Sequence, residues 1–407
     1  MMNEATDVLI VGAGHAAGQL AVSLRQGGHE GSIMMLGDEP HPPYQRPPLS
    51  KKYLAGALEA ERLFVKPPSF YGDANIDLHT DTRVTAIDPS KKTATIESGG
   101  SVRWQSLVLA TGTRARKLPL PGSDLQGVHY LRTASDVDAL RPEITAGKRI
   151  AIIGGGYIGL EVAAVAREAE LEVHVIEHMP RLLSRVVSPL LSDFYASVHE
   201  QAGVRLWLEQ SVSAIDGDQR VTGVTLSDGT SLDVDIVLIG IGVVPNDELA
   251  RDAGIDCSNG VDTDLTGRTS ATDVFAIGDC CNHHNPIYDR RVRLESVPNA
   301  LGQARAVAAS LLGDDKPYSE VPWFWSDQYD LKLQIVGLTE GYDQTVLRGD
   351  PQSRSFACFY LKDGRMLAVD AVNSPREFMR SKALVASGAS VPLEALADPS
   401  IDLKEFG

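Results

Sequence analysis

The 407-residue chain is 43% hydrophobic and carries a formal net charge of −16, which allows about two or three domains, each with its own core. So acidic a balance argues against a nucleic-acid surface, because counterion release from phosphates needs clustered Lys and Arg. Apolar runs such as the nine residues Ile236–Val244 fall far short of the roughly 20 that a membrane-spanning helix needs. The polar start "MMNEATD" shows no charged-then-apolar leader, so the expected partners include neither nucleic acid nor membrane, and the expected compartment is the cytoplasm.

In chain order, Val8–Val11 reads as a short apolar strand, Gly12-Ala13-Gly14 as a tight turn, and Ala16 onward as a helix with Leu20 and Leu24 on one face. Glycines there let the backbone approach a pyrophosphate, and the free N–H groups of the helix start face its charge. "SIMMLGDE" reads as a second strand, and Asp38 stands roughly 20 residues past the turn, where a carboxylate binds a ribose hydroxyl pair. Asp38 or Glu39 opening a solvated loop is the other reading.

The pattern then repeats. Ile150–Ile153 is a strand, Gly154, Gly156 and Gly159 fill all three glycine positions, and "LEVHVIE" is a strand that ends on Glu177. Two such units imply two nucleotides with electrons passing between them, unless one site of a duplicated fold is dead. "SLVLATGTRARKLPLPG" and "DIVLIGIGVVPN" close the two units as strand, glycine and proline-bearing loop. "RTSATDVFAIGD" and the helix-like "NALGQARAVAASLL" return the chain to its first domain, and from about Pro322 short strands with turn signals precede helical tails.

The expected fold is α/β: two Rossmann-like dinucleotide-binding domains plus a C-terminal α+β domain. Expected boundaries are residues 1–115 with 245–321, residues 116–244, and residues 322–407. The four cysteines, Cys257, Cys280, Cys281 and Cys358, have no framework spacing and no Cys-x-x-Cys pair, so reduced thiols are expected. In "GDCCNHHN", adjacent cysteines point different ways and no second ligand pair stands at zinc spacing, so no metal site is expected.

The strings "GAGHAAG", "PYQRPPLSKKYL", "LVLATGTRARKLPLPG", "GGGYIGLE", "TSATDVFAIGDC", "LESVPNALGQA" and "PWFWSDQY" resemble the FAD-dependent NADH:ferredoxin reductases of bacterial oxygenase systems. This is the family of putidaredoxin reductase and the biphenyl dioxygenase reductase, and the resemblance spans nearly the whole chain. It implies a glutathione-reductase-like pair of domains, the first for FAD and the inserted second for NADH. Gly12, Gly14 and Ala16 would then line the FAD pyrophosphate, Asp38 its adenosine ribose, and Lys51, Val84, Arg132, Asp279 and Val297 the rest. Gly154, Gly156, Tyr157, Ile158, Gly159, Glu177, Arg185 and Gly242 would hold NADH, and Lys51, Glu161 and Trp325 would be catalytic. His15 departs from the small residue expected in "GAGHAAG".

Elementary chemistry runs beside these assignments. Lys51 follows Pro47 and Pro48, which stiffen its loop, although a lysine by itself usually means solvated surface. Glu161, near a helix start, is favoured by the positive end of the dipole, and the resemblance implies that it pairs with Lys51. Trp323 and Trp325 share one strand face, as core or as a flavin cover. The implied partner is a [2Fe-2S] ferredoxin that feeds a cytochrome P450 or Rieske-type oxygenase. Arg290, Arg291, Arg293 and Arg305 are candidate docking residues, unless they form an ordinary solvated face or turn inward. The alternatives are a flavoprotein like NADH oxidase or like apoptosis-inducing factor.

Overall fold

A computed structural model describes residues 4–406 of the chain. They form two compact units, residues 4–45 with Ala60–Arg114 and Val244–Pro322, and Arg46–Glu59 with Ala115–Val243 and residues 323–406.

In the first unit, the strand Ala5–Val11 lies between Ile33–Leu36 and Ser101–Leu109, all parallel. Ile76–His79 and Val274–Ala276 extend the sheet on its two sides. Ile33–Leu36 is buried along its whole length, as a parallel strand covered on both faces must be. On one face the helices His15–Gln26 and Val297–Leu311 place Leu20, Leu24, Ala304 and Val307 against Ile10 and Val108. On the other face the hairpin Val84–Asp88 and Thr93–Ile96, with Trp104, covers Leu9, Val11 and Leu107. A small sheet of Val261–Thr263, Cys281–Asn285 and Arg290–Arg293 completes the unit.

The second unit repeats the arrangement. Its parallel sheet runs Arg205–Leu208, Glu172–Glu177, Arg149–Ile153, Ile236–Ile239, Val128–Tyr130, and the helix Tyr157–Glu168 follows the Arg149–Ile153 strand. In both units the strand before the glycine turn is central, so the turn opens where neighbouring connections diverge, which is where such sheets take ligands.

The C-terminal part of this unit is a five-stranded antiparallel sheet in the order Trp323–Gln328, Leu331–Gly337, Arg365–Val372, Ser355–Lys362, Gln344–Asp350. The helices Pro375–Ser387 and Leu393–Ala397 follow it. Gln344–Asp350 was not legible as a strand because it is a mostly exposed edge with little apolar alternation. Its buried Arg348 donates to the carbonyls of Ala395, Leu396, Asp398, Pro399 and Ile401, which fastens the tail. The segment Arg46–Glu59, read from sequence as part of the first domain, belongs to this unit: Tyr53 donates to Asp138 across 2.7 Å and Ser50 to Glu161.

Candidate nucleotide and hydride site

The two glycines of the first turn are needed for different reasons. Gly12 has φ +109°, and a Cβ there would stand 2.2 Å from the Ala110 carbonyl oxygen, so the neighbouring strand demands glycine. Gly14 caps the helix His15–Gln26 with an ordinary φ of −87°, and no atom lies within 4 Å of its virtual Cβ. Among the described residues, no packing neighbour requires glycine at that position. The clearing it leaves, before a helix start whose N–H groups have no intrahelical partner, fits a pyrophosphate.

Gly278, at φ +79°, would carry its Cβ 3.1 Å from that of Ala16, so the Gly278–Cys280 turn with Asp279 lies against the first turn of the same helix. Gln303 Oε1 accepts from the Gly278 N–H at 2.7 Å and fixes the turn. Val297 is the first residue of the next helix, after a Ser296 cap. Asp38 stays exposed beyond its strand, whereas Glu39 accepts from the Tyr44 hydroxyl at 2.5 Å. Val84 is buried core, so only its backbone, on the last strand of the sheet, can meet a ligand.

The second turn repeats the division of labour. A Cβ on Gly154, at φ +111°, would meet the Gly240 oxygen at 2.4 Å, and one on Gly159 would meet the Gly154 oxygen at 2.2 Å. Gly156, the cap at φ −85°, has nothing within 4 Å. Ile158 beside it is 40% exposed, while the Tyr157 ring packs on Phe324 with centroids 5.0 Å apart. Gly242, at φ +99°, also faces open space.

Glu177 ends its strand with Oε2 accepting from the Gly155 N–H and Oε1 from the Met179 N–H, both at 2.8 Å. The carboxylate is thus held at the turn. Arg181 is turned inward to Val187, Ser184 and Ser192; Arg185 is exposed. Arg132 begins a capping arrangement, its N–H donating to Asp136 and its carbonyl accepting from Arg46.

Glu161 is 2% exposed, and its carboxylate gathers three partners: Lys51 Nζ at 2.7 Å, Ser50 Oγ at 2.5 Å and Ser326 Oγ at 2.6 Å. Lys51 and Glu161, distant in sequence, therefore form a nearly buried ion pair, a costly arrangement unless the carboxylate's other lone pairs are also satisfied. The two serines do that. Sequence reasoning missed both, since serines beside a lysine and a tryptophan give no signal of their own. Trp325 is half-buried on the strand that carries Ser326; its neighbour Trp323, 5.7 Å away, packs on Phe378 and under Lys382 as core.

Two other clusters lie in the first unit. Cys280 and Cys281 are buried thiols held by Ile277 and Thr263; burial pushes Cys281 up to about 12 and His283 down to about 4. The four candidate docking arginines differ in placement. Strand alternation puts Arg290 on the face opposite Arg291 and Arg293. Arg293, with a side chain only 10% exposed, is held by Glu295 and the Asp279 carbonyl. Arg291 pairs with Asp262, and Arg305 with Glu320. Arg293 is thus turned inward onto a carboxylate and a backbone carbonyl, and nearby carboxylates partly cancel the charge of Arg291 and Arg305.

Residues 6–304 match the pyridine nucleotide-disulphide oxidoreductase family, and residues 323–407 match the reductase C-terminal family. The chain belongs to the pyridine nucleotide-disulphide oxidoreductases. It is 45% identical, over 98% of both chains, to the 5,5'-dehydrodivanillate O-demethylase ferredoxin reductase subunit of a Sphingobium strain. Among solved structures it resembles the ferredoxin reductase for the CYP199A2 system of Rhodopseudomonas palustris, with TM-score 0.95 and 44% identity over 99% of each chain. It also resembles the covalent putidaredoxin reductase–putidaredoxin complex, with TM-score 0.96 and 42% identity over 100% of this chain and 98% of that one. As a member of this family the chain is an oxidoreductase that uses FAD and NAD(P)H. Among the described residues no helix is long and apolar enough to cross a membrane.

Proposed function

We propose that this oxidoreductase is a ferredoxin reductase that moves electrons from NADH through FAD to a [2Fe-2S] ferredoxin serving a P450 or Rieske-type oxygenase. The observation that carries the redox half is the buried Lys51–Glu161 pair, whose glutamate lies on the helix whose start Gly156 leaves clear. Support for the partner comes from full-length relatives named as ferredoxin reductases, one of them seen with its putidaredoxin.

FAD, when bound, supplies the conversion of a two-electron hydride into single electrons. The chain's residues supply position and charge. Gly12, Gly14 and Ala16 accommodate the flavin nucleotide's pyrophosphate, Asp38 takes its ribose, and the Val84 backbone, Asp279 and Val297 complete the first site; Lys51 and Arg132 are assigned to the same cofactor. Gly154, Gly156, Gly159, Tyr157, Ile158, Arg185 and Gly242 form the second site, where Glu177 favours the 2'-hydroxyl of NADH over the 2'-phosphate of NADPH. Lys51, held by Glu161, presents a cation where negative charge develops, and Trp325 is placed as a cover. We assign residues 1–115 with 245–321 to FAD, 116–244 to NAD and 322–407 to the C-terminal domain, apart from the segment Arg46–Glu59, which packs within the second unit.

Transfer to a disulphide or peroxide would need a reactive thiolate, and burial pushes Cys257 up to about 11 and Cys281 and Cys358 to about 12. Free, unpaired cysteines suit the cytoplasm. The test is NADH-driven reduction of a panel of [2Fe-2S] ferredoxins, with ferricyanide as a partner-independent control. Fast reduction of at least one ferredoxin is expected. Brisk ferricyanide reduction with none of the ferredoxins reduced would refute the partner.

A further inference from the structure

Behind Glu161 a line of polar side chains continues from Ser326 through residues that the roles above do not use. Ser326 Oγ donates to Glu161 Oε1 at 2.6 Å, Gln328 Nε2 donates to Ser326 Oγ at 3.2 Å, Gln328 Oε1 meets His199 Nε2 at 2.9 Å, and the Tyr329 hydroxyl meets His199 Nδ1 at 3.2 Å. Ser326, Gln328 and His199 are each at most 2% exposed. Ser326 and Gln328 alternate onto one face of the strand Trp323–Gln328, and His199 comes from the helix Pro189–Gln201.

The line has one consistent direction, and the carboxylate sets it. An ionised carboxylate only accepts, and a serine has a single O–H to give. Once Ser326 gives its proton to Glu161, it can only accept, so Gln328 must offer its amide nitrogen. That turns the Gln328 oxygen to His199, which must therefore carry its proton on Nε2. Burial lowers the pKa of His199 and favours the neutral ring. Its Nδ1 is then a lone pair, and the Tyr329 hydroxyl donates to it. Every donor points towards Glu161. Reversing Gln328 would leave two buried oxygens or two N–H groups face to face, an expensive mismatch.

We infer that Ser326, Gln328 and His199 are positioning residues for the hydride step. By donating in series to Oε1, they hold Glu161 with Oε2 turned to Lys51 and Ser50, and so fix where the lysine cation stands. The inference rests on the proposed role of the Lys51–Glu161 pair. It adds that the orientation of the pair is set from the C-terminal sheet and from a histidine three side chains away.

Two readouts test it in the FAD-loaded protein. In ¹⁵N-histidine-labelled protein, the His199 ring, identified by the signal lost in His199→Gln, should show the neutral Nε2–H tautomer; an Nδ1–H tautomer would overturn the inference. In stopped-flow reduction by NADH, Ser326→Ala should slow flavin reduction about 10- to 100-fold at saturating NADH, the loss of one hydrogen bond to a charged group. The half-saturating NADH concentration should move less than about twofold, and Ser326→Thr, which keeps the hydroxyl, should recover most of the rate. In a Glu161→Gln background Ser326→Ala should change the rate less than about twofold, because its effect travels through that carboxylate. Full FAD content and normal reduction by dithionite show that a variant is folded. A wild-type rate in Ser326→Ala beside a slow Glu161→Gln, or an equal loss in both backgrounds, overturns the inference alone. A wild-type rate in Glu161→Gln would remove the role of the pair and the inference with it.

Discussion

Gly154 and Gly156 stand two residues apart in one turn, yet replacing each with alanine should break different things. At Gly154 the φ of +111° is unfavourable for any side chain, and the new Cβ would lie 2.4 Å from the Gly240 carbonyl oxygen, which belongs to backbone and cannot swing away. Strain and clash together should cost about 3 kcal/mol or more, a fall in Tm of about 6–12 °C for a unit of this size. At Gly156 the backbone is extended and the Cβ meets nothing within 4 Å, so the loss is that of a poorer N-cap, about 0.5–1 kcal/mol. The methyl would instead occupy the clearing proposed for the NADH pyrophosphate. Forfeiting one charge-assisted hydrogen bond, about 1.5–3 kcal/mol, should weaken NADH binding about 10- to 100-fold. Thermal melts and anaerobic titration with NAD⁺ read the two effects separately. A Gly156→Ala variant that binds as tightly as wild type, or melts as early as Gly154→Ala, would refute the assignment of that clearing to a nucleotide.

Glu177→Gln keeps an acceptor for the Gly155 N–H but removes the charge, so the preference for NADH in kcat/KM should narrow by about tenfold or more, matching roughly 1–4 kcal/mol of repulsion at 4 Å; an unchanged ratio would move specificity elsewhere. Replacing all four cysteines with serine or alanine should leave NADH-to-ferredoxin turnover largely intact, and native thiols should resist alkylation at pH 8, as burial of Cys280, Cys281 and Cys358 implies. Arg305→Glu should raise the ferredoxin KM and flatten its salt dependence without touching ferricyanide reduction, whereas Arg293→Ala, which frees Glu295, should show itself in stability; the reverse pattern would restore the continuous basic patch.

Legibility followed periodicity and backbone demand. Both glycine turns could be read because Gly12, Gly154 and Gly159 are forced by close carbonyl oxygens, and a forced glycine between an apolar strand and an amphipathic helix leaves a mark in the sequence. The Lys51–Glu161 pair came only from the resemblance; spacing alone offers no reason why residues so far apart should meet. What fixes that pair was silent. Ser50, Ser326, Gln328 and His199 act through burial and direction, and neither property is written in residue type. The arginines show the same limit: closeness in sequence is not closeness on a surface, because the strand Arg290–Arg293 sends alternate side chains to opposite faces, and Arg291, Arg293 and Arg305 each meet a carboxylate.

Asp370 carries the same argument into stability. It lies on the strand Arg365–Val372 with no exposed surface; Oδ2 accepts from Tyr360 at 2.6 Å, and Oδ1 has no partner among the described residues. Burial, partly offset by that hydrogen bond, pushes its pKa up to about 7, against about 3.9 in an unfolded chain. Between those values the folded chain holds a proton that the unfolded chain has lost, so the associated stability is full below about pH 4 and drains away as pH rises to about 7, a total of order 4 kcal/mol. Asp370→Asn keeps an acceptor for Tyr360 and cannot ionise. Its stability relative to wild type should therefore grow by about 2–3 kcal/mol from pH 5 to pH 8, read locally by hydrogen exchange of the Ser355–Lys362 and Arg365–Val372 amides. His283, lowered to about 4 by burial, gives the opposite slope, with stability lost as pH falls from about 6.5 towards 4. It lies in the other unit and is common to both proteins, so it cancels in the difference. Parallel pH curves for wild type and Asp370→Asn would mean that the buried carboxyl costs the fold nothing at neutral pH, and the unpartnered Oδ1 would then need a donor from elsewhere.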